Sequence, residues 1–125
     1  MIEAALVVLL TVTCYTPRAG GINGSMNGGA AGIRPYHGMA ACGPSYPFGT
    51  KFTLTGASAQ RAKDIGLPGT VVCNDRGGMI GNRNLDIAIV SEGGTARRDY
   101  ELCKQFGGRF KAEVLVEVPE GTGRK

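Results

Sequence analysis

Between Gly69 and Val90 two short apolar runs flank a glycine-rich turn, and no other stretch limits the fold of this chain so closely. Gly69-Thr70-Val71-Val72-Cys73 leads in, Asn74-Asp75-Arg76-Gly77-Gly78-Met79-Ile80-Gly81-Asn82-Arg83-Asn84 turns, and Leu85-Asp86-Ile87-Ala88-Ile89-Val90 leads out. β-Branched residues at this density favour strands, and glycines at this density break any helix between them. The unit predicts two neighbouring strands joined by a tight loop. It carries two carboxylates 11 positions apart (86 − 75 = 11).

Similar punctuation runs through the rest of the chain. Gly occurs 21 times in 125 residues, often in pairs between apolar runs, which suits a loop-rich β fold. That length holds one core, expected over residues 4–118 of a single domain spanning 1–125, with 119–125 as a loose tail. Residues 4–14, rich in Val, Leu and Thr, predict a long buried strand, and 51–55 alternate as another. Strands are expected at 69–74 and 85–90. At 110–118, Phe110, Ala112, Val114, Val116 and Val118 alternate with Lys111, Glu113, Leu115 and Glu117, a strand with one apolar face.

Residues 57–65 predict a short helix stopped by Gly66 and Pro68. Residues 95–106 predict a second, with Thr95 as N-cap, Lys104 in the last turn and Gly107-Gly108 as the stop. Residues 16–49 carry Gly and Pro too often for regular structure, and Cys42 is a candidate pin for so long a loop. Strands dominate, so the expected class is all-β, a small closed barrel with one or two short helices and a long Gly-rich loop.

Composition narrows the function classes. The net charge is +4, from 14 basic and 10 acidic residues. The basic residues are scattered apart from Arg97-Arg98 and the Gly-Arg-Lys end, with no aromatic interleaving, so no nucleic-acid partner is expected. Trp is absent, which argues against a broad stacking platform for sugars; Tyr15, Tyr36, Tyr46 and Tyr100 are the phenols. Cys14, Cys42, Cys73 and Cys103 form no CxxC, which disfavours zinc fingers and ribbons. They are either two disulfides of an oxidising compartment, with three pairings open, or four buried thiols. No metal and no cofactor are expected. Residues 1–10 are apolar but lack a basic n-region, include Glu3 and offer no small-x-small cleavage site. They are also too short for a membrane span. They are expected to form the first strand.

Thr13-Cys14-Tyr15-Thr16-Pro17, then Gly20-Gly21-Ile22-Asn23-Gly24, then Ala40-Ala41-Cys42-Gly43-Pro44-Ser45-Tyr46-Pro47-Phe48-Gly49-Thr50, then the Asp75–Asp86 unit follow one another in an order that resembles double-psi β-barrel domains. The pattern is most similar to the three-aspartate domain and to the catalytic domain of membrane-bound lytic transglycosylase A, with rare lipoprotein A and the expansins as more distant kin. It covers roughly residues 11–118. The resemblance implies a six-stranded double-psi barrel that cleaves or binds peptidoglycan. It implies that Asp86, ending the glycine unit, is the general acid, and that the family's other two aspartates fall on Asp75 and on Cys42. This chain therefore keeps two of the three. Cys73 stands two residues before Asp75, which period-two alternation puts on the same face, and Cys42 replaces an acid of the same groove. On that footing the expected disulfides are Cys42–Cys73 and Cys14–Cys103.

Lytic transglycosylases need one group that protonates the leaving glycosidic oxygen and then, as a base, takes the proton of the sugar's C6 hydroxyl. A carboxylic acid can do so if burial or a neighbouring carboxylate lifts its pKa toward neutrality. Asp86 sits between Leu85 and Ile87, and alternation puts it with Ala88 on the opposite face. Asp75 would then stabilise positive charge on the sugar ring. The bland counterpart is that Asp75 caps the glycine turn and Asp86 accepts backbone bonds. Arg76 fits an ion pair, a substrate carboxylate or open solvent. Gly77 and Gly78 of the glycine unit are further substrate-binding candidates. Tyr15 and Tyr36 are candidates for sugar stacking, with barrel core the favoured place for Tyr15, and His37 for a hydrogen bond to substrate, a second acid/base role or no role at all.

The expectation is a glycan-cleaving barrel with peptidoglycan as partner, extracellular and facing the cell wall or carried on a virus particle. The competing expectation is a non-catalytic, expansin-like glycan-binding module or a structural piece of a phage particle, as one subunit of a larger assembly.

Overall fold

The computed structural model describes residues 2–20, 25–28 and 31–119. The Gly-Ile-Asn-Gly part of the resemblance, residues 21–24, and the tail beyond Pro119 lie outside the described residues. Six strands close into a barrel: β1 (Ile2–Tyr15), β2 (Ala40–Cys42), β3 (Lys51–Leu54), β4 (Thr70–Asp75), β5 (Asn84–Ala88) and β6 (Arg109–Pro119). Two helices, α1 (Gly56–Asp64) and α2 (Ala96–Phe106), and a short 3-10 turn at Pro17–Ala19 complete the fold. Around the barrel the order is β1-β5-β2-β4-β3-β6. The β1/β5 and β2/β4 pairs are parallel and the other four antiparallel. This small closed barrel with two helices is compatible with the double-psi type.

Alternation along the strands divides the wall into two faces. Leu10, Val12, Ala40, Cys42, Phe52, Leu54, Val71, Cys73, Leu85, Ile87, Val114 and Val116 fill the main core, joined by Leu102 and Phe106 of α2. A second, smaller cluster of Tyr15, Met39, Ala41 and Ala88 lies on the opposite face of the same strands. Residues at 13, 15, 41, 86 and 88 thus share one face, while their neighbours in sequence build the core.

The helix signals act as expected. The Thr95 side chain accepts a hydrogen bond from the Arg98 N–H, and Gly107, at φ +126, ends α2 with its N–H on Cys103 and Lys104 carbonyls. The left-handed region at that position favours glycine. The four cysteines form two disulfides, Cys14–Cys103 and Cys42–Cys73. The first ties β1 to α2 and the second ties β2 to β4.

Four features depart from the sequence pattern. The strands that flank the glycine turn, β4 and β5, are not neighbours, because β2 lies between them. β1 is not buried along its length, since Leu6, Val7 and Leu9 are exposed. The stretch 16–49 is not wholly irregular, because Ala40–Cys42 supplies β2, the strand between β5 and β4. Three residues are too few for periodicity to register, and all three are buried. Cys73 and Asp75 also do not share a face. The β2/β4 register runs Ala40↔Cys73 and then Ala41↔Asp75, so β4 carries one extra residue, Asn74. A bulge of this kind shifts the alternation by one. Cys73 therefore enters the core while Asp75 stands beside Ala41 on the second face.

Candidate functional site

Four adjacent strands set Thr13, Asp86, Ala41 and Asp75 in a single row. Thr13 on β1 is the partner of Asp86 on β5, Asp86 that of Ala41 on β2, and Ala41 that of Asp75 on β4. Strands lie about 4.8 Å apart, so two steps separate the aspartate backbones by roughly 10 Å. Ala41 is the residue between them in the row, and its side chain is a single methyl group. Without the Asn74 bulge Asp75 would point into the core, and the row would hold one acid.

Asp86 is half-buried, and its Oδ1 accepts a hydrogen bond of 2.8 Å from the Thr13 hydroxyl. Loss of water around the carboxyl is the main force on it and pushes its pKa up from 3.8 to about 6. The negative charge of Asp75 adds to the rise, and the Thr13 hydrogen bond, which favours the anion, opposes it. Asp75 accepts from its neighbour's backbone, Arg76 N–H to Oδ1 at 2.9 Å, and from the Tyr15 hydroxyl at Oδ2 at 3.0 Å. Burial, with the Asp75 charge behind it, drives the Tyr15 phenol far above its ordinary value. It therefore stays a neutral donor that orients the Asp75 carboxylate. One titratable acid and one hydrogen-bonded carboxylate, across a methyl group, can move a proton to or from a ligand and stabilise positive charge beside it.

The remaining candidates divide. Tyr15 is a core residue with a polar tip, its ring packed in the cluster of Met39, Ala41 and Ala88, so the ring offers no stacking surface. Tyr36 stays 40% exposed, and its hydroxyl accepts from Asn74 Nδ2 at 2.9 Å, which keeps its ring near the rim of the site. Gly77 and Gly78 form the exposed tip of the turn. A Cβ on Gly77 would stand 2.7 Å from Ile80 Cγ1, while one on Gly78 would meet nothing. Gly77 is therefore required by close packing within the loop.

Arg76 turns inward. Its guanidinium donates to the Tyr46 carbonyl at 2.6 Å, lies 2.8 Å from Cys42 Sγ, and covers the Phe48 ring with its central carbon 4.3 Å from the ring centre. It plugs the wall over the Cys42–Cys73 disulfide, held there by Phe48 of the Pro-Phe-Gly-Thr segment. Gly49 of that segment, at φ +93, donates to the Cys73 carbonyl at 2.8 Å. His37 also has internal partners at both nitrogens. Nδ1 accepts from the Val90 N–H at 2.9 Å, so the proton sits on Nε2, which donates to the Ile65 carbonyl at 3.0 Å. It lines a cleft of about 350 Å³ with Ile65, Gly66, Val90, Ser91 and Glu92. Another cleft, of about 300 Å³, lies between α1 and β6 at Thr55, Arg61, Phe110 and Lys111. Neither cleft includes an aspartate of the row.

Thr13 and Ala41 escaped the sequence reading. Alternation alone puts Thr13 on the Tyr15 face, but its pairing with Asp86 follows from the β1/β5 register. Among the described residues no group of three or more His, Cys, Asp or Glu side chains is arranged to hold a metal ion, and no helix is long and apolar enough to cross a membrane. No protein-family model matches the chain, and no curated protein matches it.

Proposed function

We propose that this chain is a double-psi barrel of the three-aspartate type that cuts the glycan strands of peptidoglycan by lytic transglycosylation. Asp86 would protonate the leaving glycosidic oxygen and then, as its carboxylate, take the proton from the C6 hydroxyl as that oxygen closes on C1. No water is consumed, and a 1,6-anhydro sugar ends the new chain. Asp75, ionised and oriented by Tyr15, would stabilise the oxocarbenium charge between the two proton transfers. The observation that carries the reading is the Asp86 carboxyl, half-buried and pushed up to about 6 beside a second carboxylate. That value keeps an appreciable share of the acid protonated in mildly acidic solution and leaves its conjugate base strong enough to accept a proton.

A specific observation favours a second reading. Cys42 occupies the position of the family's third acid and is engaged in the disulfide with Cys73. A barrel that binds glycan without cutting it, or serves as a structural part of a phage particle, would have that arrangement. The disulfides suit an oxidising, extracellular setting for either reading.

Digestion of purified peptidoglycan, with products identified by mass spectrometry, tests the proposal. Wild type is expected to release anhydro-muropeptides, and Asp86→Asn to lose activity by roughly 10²- to 10⁴-fold, the ordinary share of a general acid. Activity should also fall as pH rises past about 6, where the acid loses its proton. A folded wild-type protein that yields no product over the pH range, or an Asp86→Asn variant with full activity, would overturn the assignment. The first result would favour the binding or virion role.

A further inference from the structure

The two halves of β1 are housed differently. Residues 11–15 pair with β5 on one side, and residues 11–13 also with β6 on the other. Residues 2–10 extend past the start of β5 and pair with β6 alone, so among the described residues no strand covers their other side. The doubly paired half shows which backbone groups face that side. Thr11 N–H donates to the Arg83 carbonyl, and the Tyr15 carbonyl accepts from the Ile89 N–H, each at 2.8 Å. Odd-numbered residues therefore turn their main-chain groups away from β6. By the period of two, Ala5, Val7 and Leu9 aim both an N–H and a C=O at the open edge.

The side chains along this edge are apolar and uncovered. Leu6, Val7 and Leu9 are 59%, 67% and 58% exposed. Exposed edges are ordinarily blunted by charges, proline or bulges. From 4 to 12 there is no charged residue, proline or glycine, and the one pairing irregularity lies before this stretch, between Ile2 and Ala4. On β6, by contrast, residues 109–113 extend past β3 and carry Arg109, Lys111 and Glu113. The chain thus guards one overhang along its length, whereas on the other Glu3 and the irregularity beside it precede a bare stretch from Ala4 onward.

We propose that the bare edge of β1 pairs with the same edge of a second copy, antiparallel about a two-fold axis at Val7, so that two barrels share one continuous sheet. Only an extended strand can answer a row of main-chain donors and acceptors while covering Val7 and Leu9. A second β1 supplies such a strand with its own groups facing the right way. Val7 stands opposite Val7 of the second copy and Ala5 opposite Leu9, giving three pairs with two hydrogen bonds each. The register ends at Leu9 because the Thr11 N–H is already taken by Arg83. No like charges meet across the axis, which would otherwise oppose the pairing. The contact is isologous, so it closes at two copies. It does not depend on the proposed activity, because β1 reaches the acidic row only from Thr13 onward.

Sedimentation equilibrium of the oxidised protein tests this from about 1 μM to about 1 mM, the span in which a contact of this size associates. The mass is expected to rise from 13.0 kDa to about 26 kDa (2 × 13.0). Amide exchange at Val7 and Leu9 should slow over the same concentrations. Val7→Lys places two ammonium groups against each other at the axis and should hold the mass at that of one chain. Its circular dichroism should be unchanged, because the side chain is exposed. Val7→Thr keeps strand preference and should still associate. A wild type that stays at one chain throughout would overturn the proposal. So would association that Val7→Lys leaves intact, or mass that grows beyond two copies.

Discussion

Asp99 and Asp86 both lose contact with water on this small barrel, and their surroundings treat the lost hydration in opposite ways. Asp99 in α2 is fully buried and receives a complete set of partners. Arg18 Nη1 donates to both its oxygens at 3.1 and 3.0 Å, and the backbone N–H and hydroxyl of Ser91 donate to Oδ1 at 3.0 and 2.6 Å. Arg18 also donates to the Ser91 carbonyl at 2.7 Å, so the 3-10 turn, the loop after β5 and α2 meet at one point. Asp86 receives one hydroxyl, from Thr13, and faces a second negative charge. A buried acid with a guanidinium and two further donors is a structural joint. A half-buried acid with a single neutral donor is held where a proton can come and go. The chain is able to build the first kind of environment and builds the second around Asp86.

Three measurements sharpen or break that contrast. The largest effect is expected at the joint. Arg18→Ala leaves the Asp99 carboxylate buried without its counter-charge, which should cost about 3–5 kcal/mol in urea unfolding. A loss below about 1 kcal/mol would mean that the joint is not what holds the 3-10 turn to α2, because surface pairs alone are worth that little.

The second effect has the opposite sign. The native state binds the Asp86 proton more tightly than the unfolded chain, whose value stays near 3.8. Between about pH 4 and pH 6 the folded form therefore holds the extra proton, and stability falls as pH rises through that window. The shift corresponds to at most about 3 kcal/mol, at 1.36 kcal/mol per pH unit. Asp86→Asn should be more stable than wild type by about 1–3 kcal/mol at pH 7.5, with the difference vanishing toward pH 4. Thermal melts of the two proteins across this range test it. Equal stability at every pH would show that Asp86 is hydrated like an ordinary surface acid.

The smallest effect belongs to Thr13→Val. Its stability cost should be about 1 kcal/mol, that of one hydrogen bond. Removing the Thr13 hydroxyl, whose hydrogen bond favours the anion, should nevertheless move the Asp86 pKa further up, and with it the alkaline limb of any lytic activity. Nuclear magnetic resonance titration of the Asp86 carboxyl reads the shift directly. An unmoved titration would separate Thr13 from the acid.

Much of the fold was legible beforehand because its signals are local. The runs at 4–14, 51–55, 69–74, 85–90 and 110–118 became β1, β3, β4, β5 and β6 within a few residues, and Thr95 and Gly107 bounded α2. β2 was not legible, since three residues in a Gly- and Pro-rich stretch carry no period. The Asp75–Asp86 spacing marked the acidic row, but Thr13 and Ala41 did not show themselves. The sequence left Arg76 and His37 open between substrate contacts and blander places, and the structure gives both of them internal partners. Arg18 and Asp99, 81 positions apart, gave no sign of each other.

The sequence by itself determined where strands start and stop, which side of each is apolar, and that two acids flank a tight glycine turn. These follow from steric preference and period two, which act over a few neighbouring residues. Only the tertiary structure decided which residues stand opposite one another. Closing six strands into a barrel sets every register at once, and the single extra residue at Asn74 then moves Asp75 from the core face to the side of Asp86. Alternation has a period of two, so one inserted residue reverses a side chain's face, and the pairing across strands decides which acids meet.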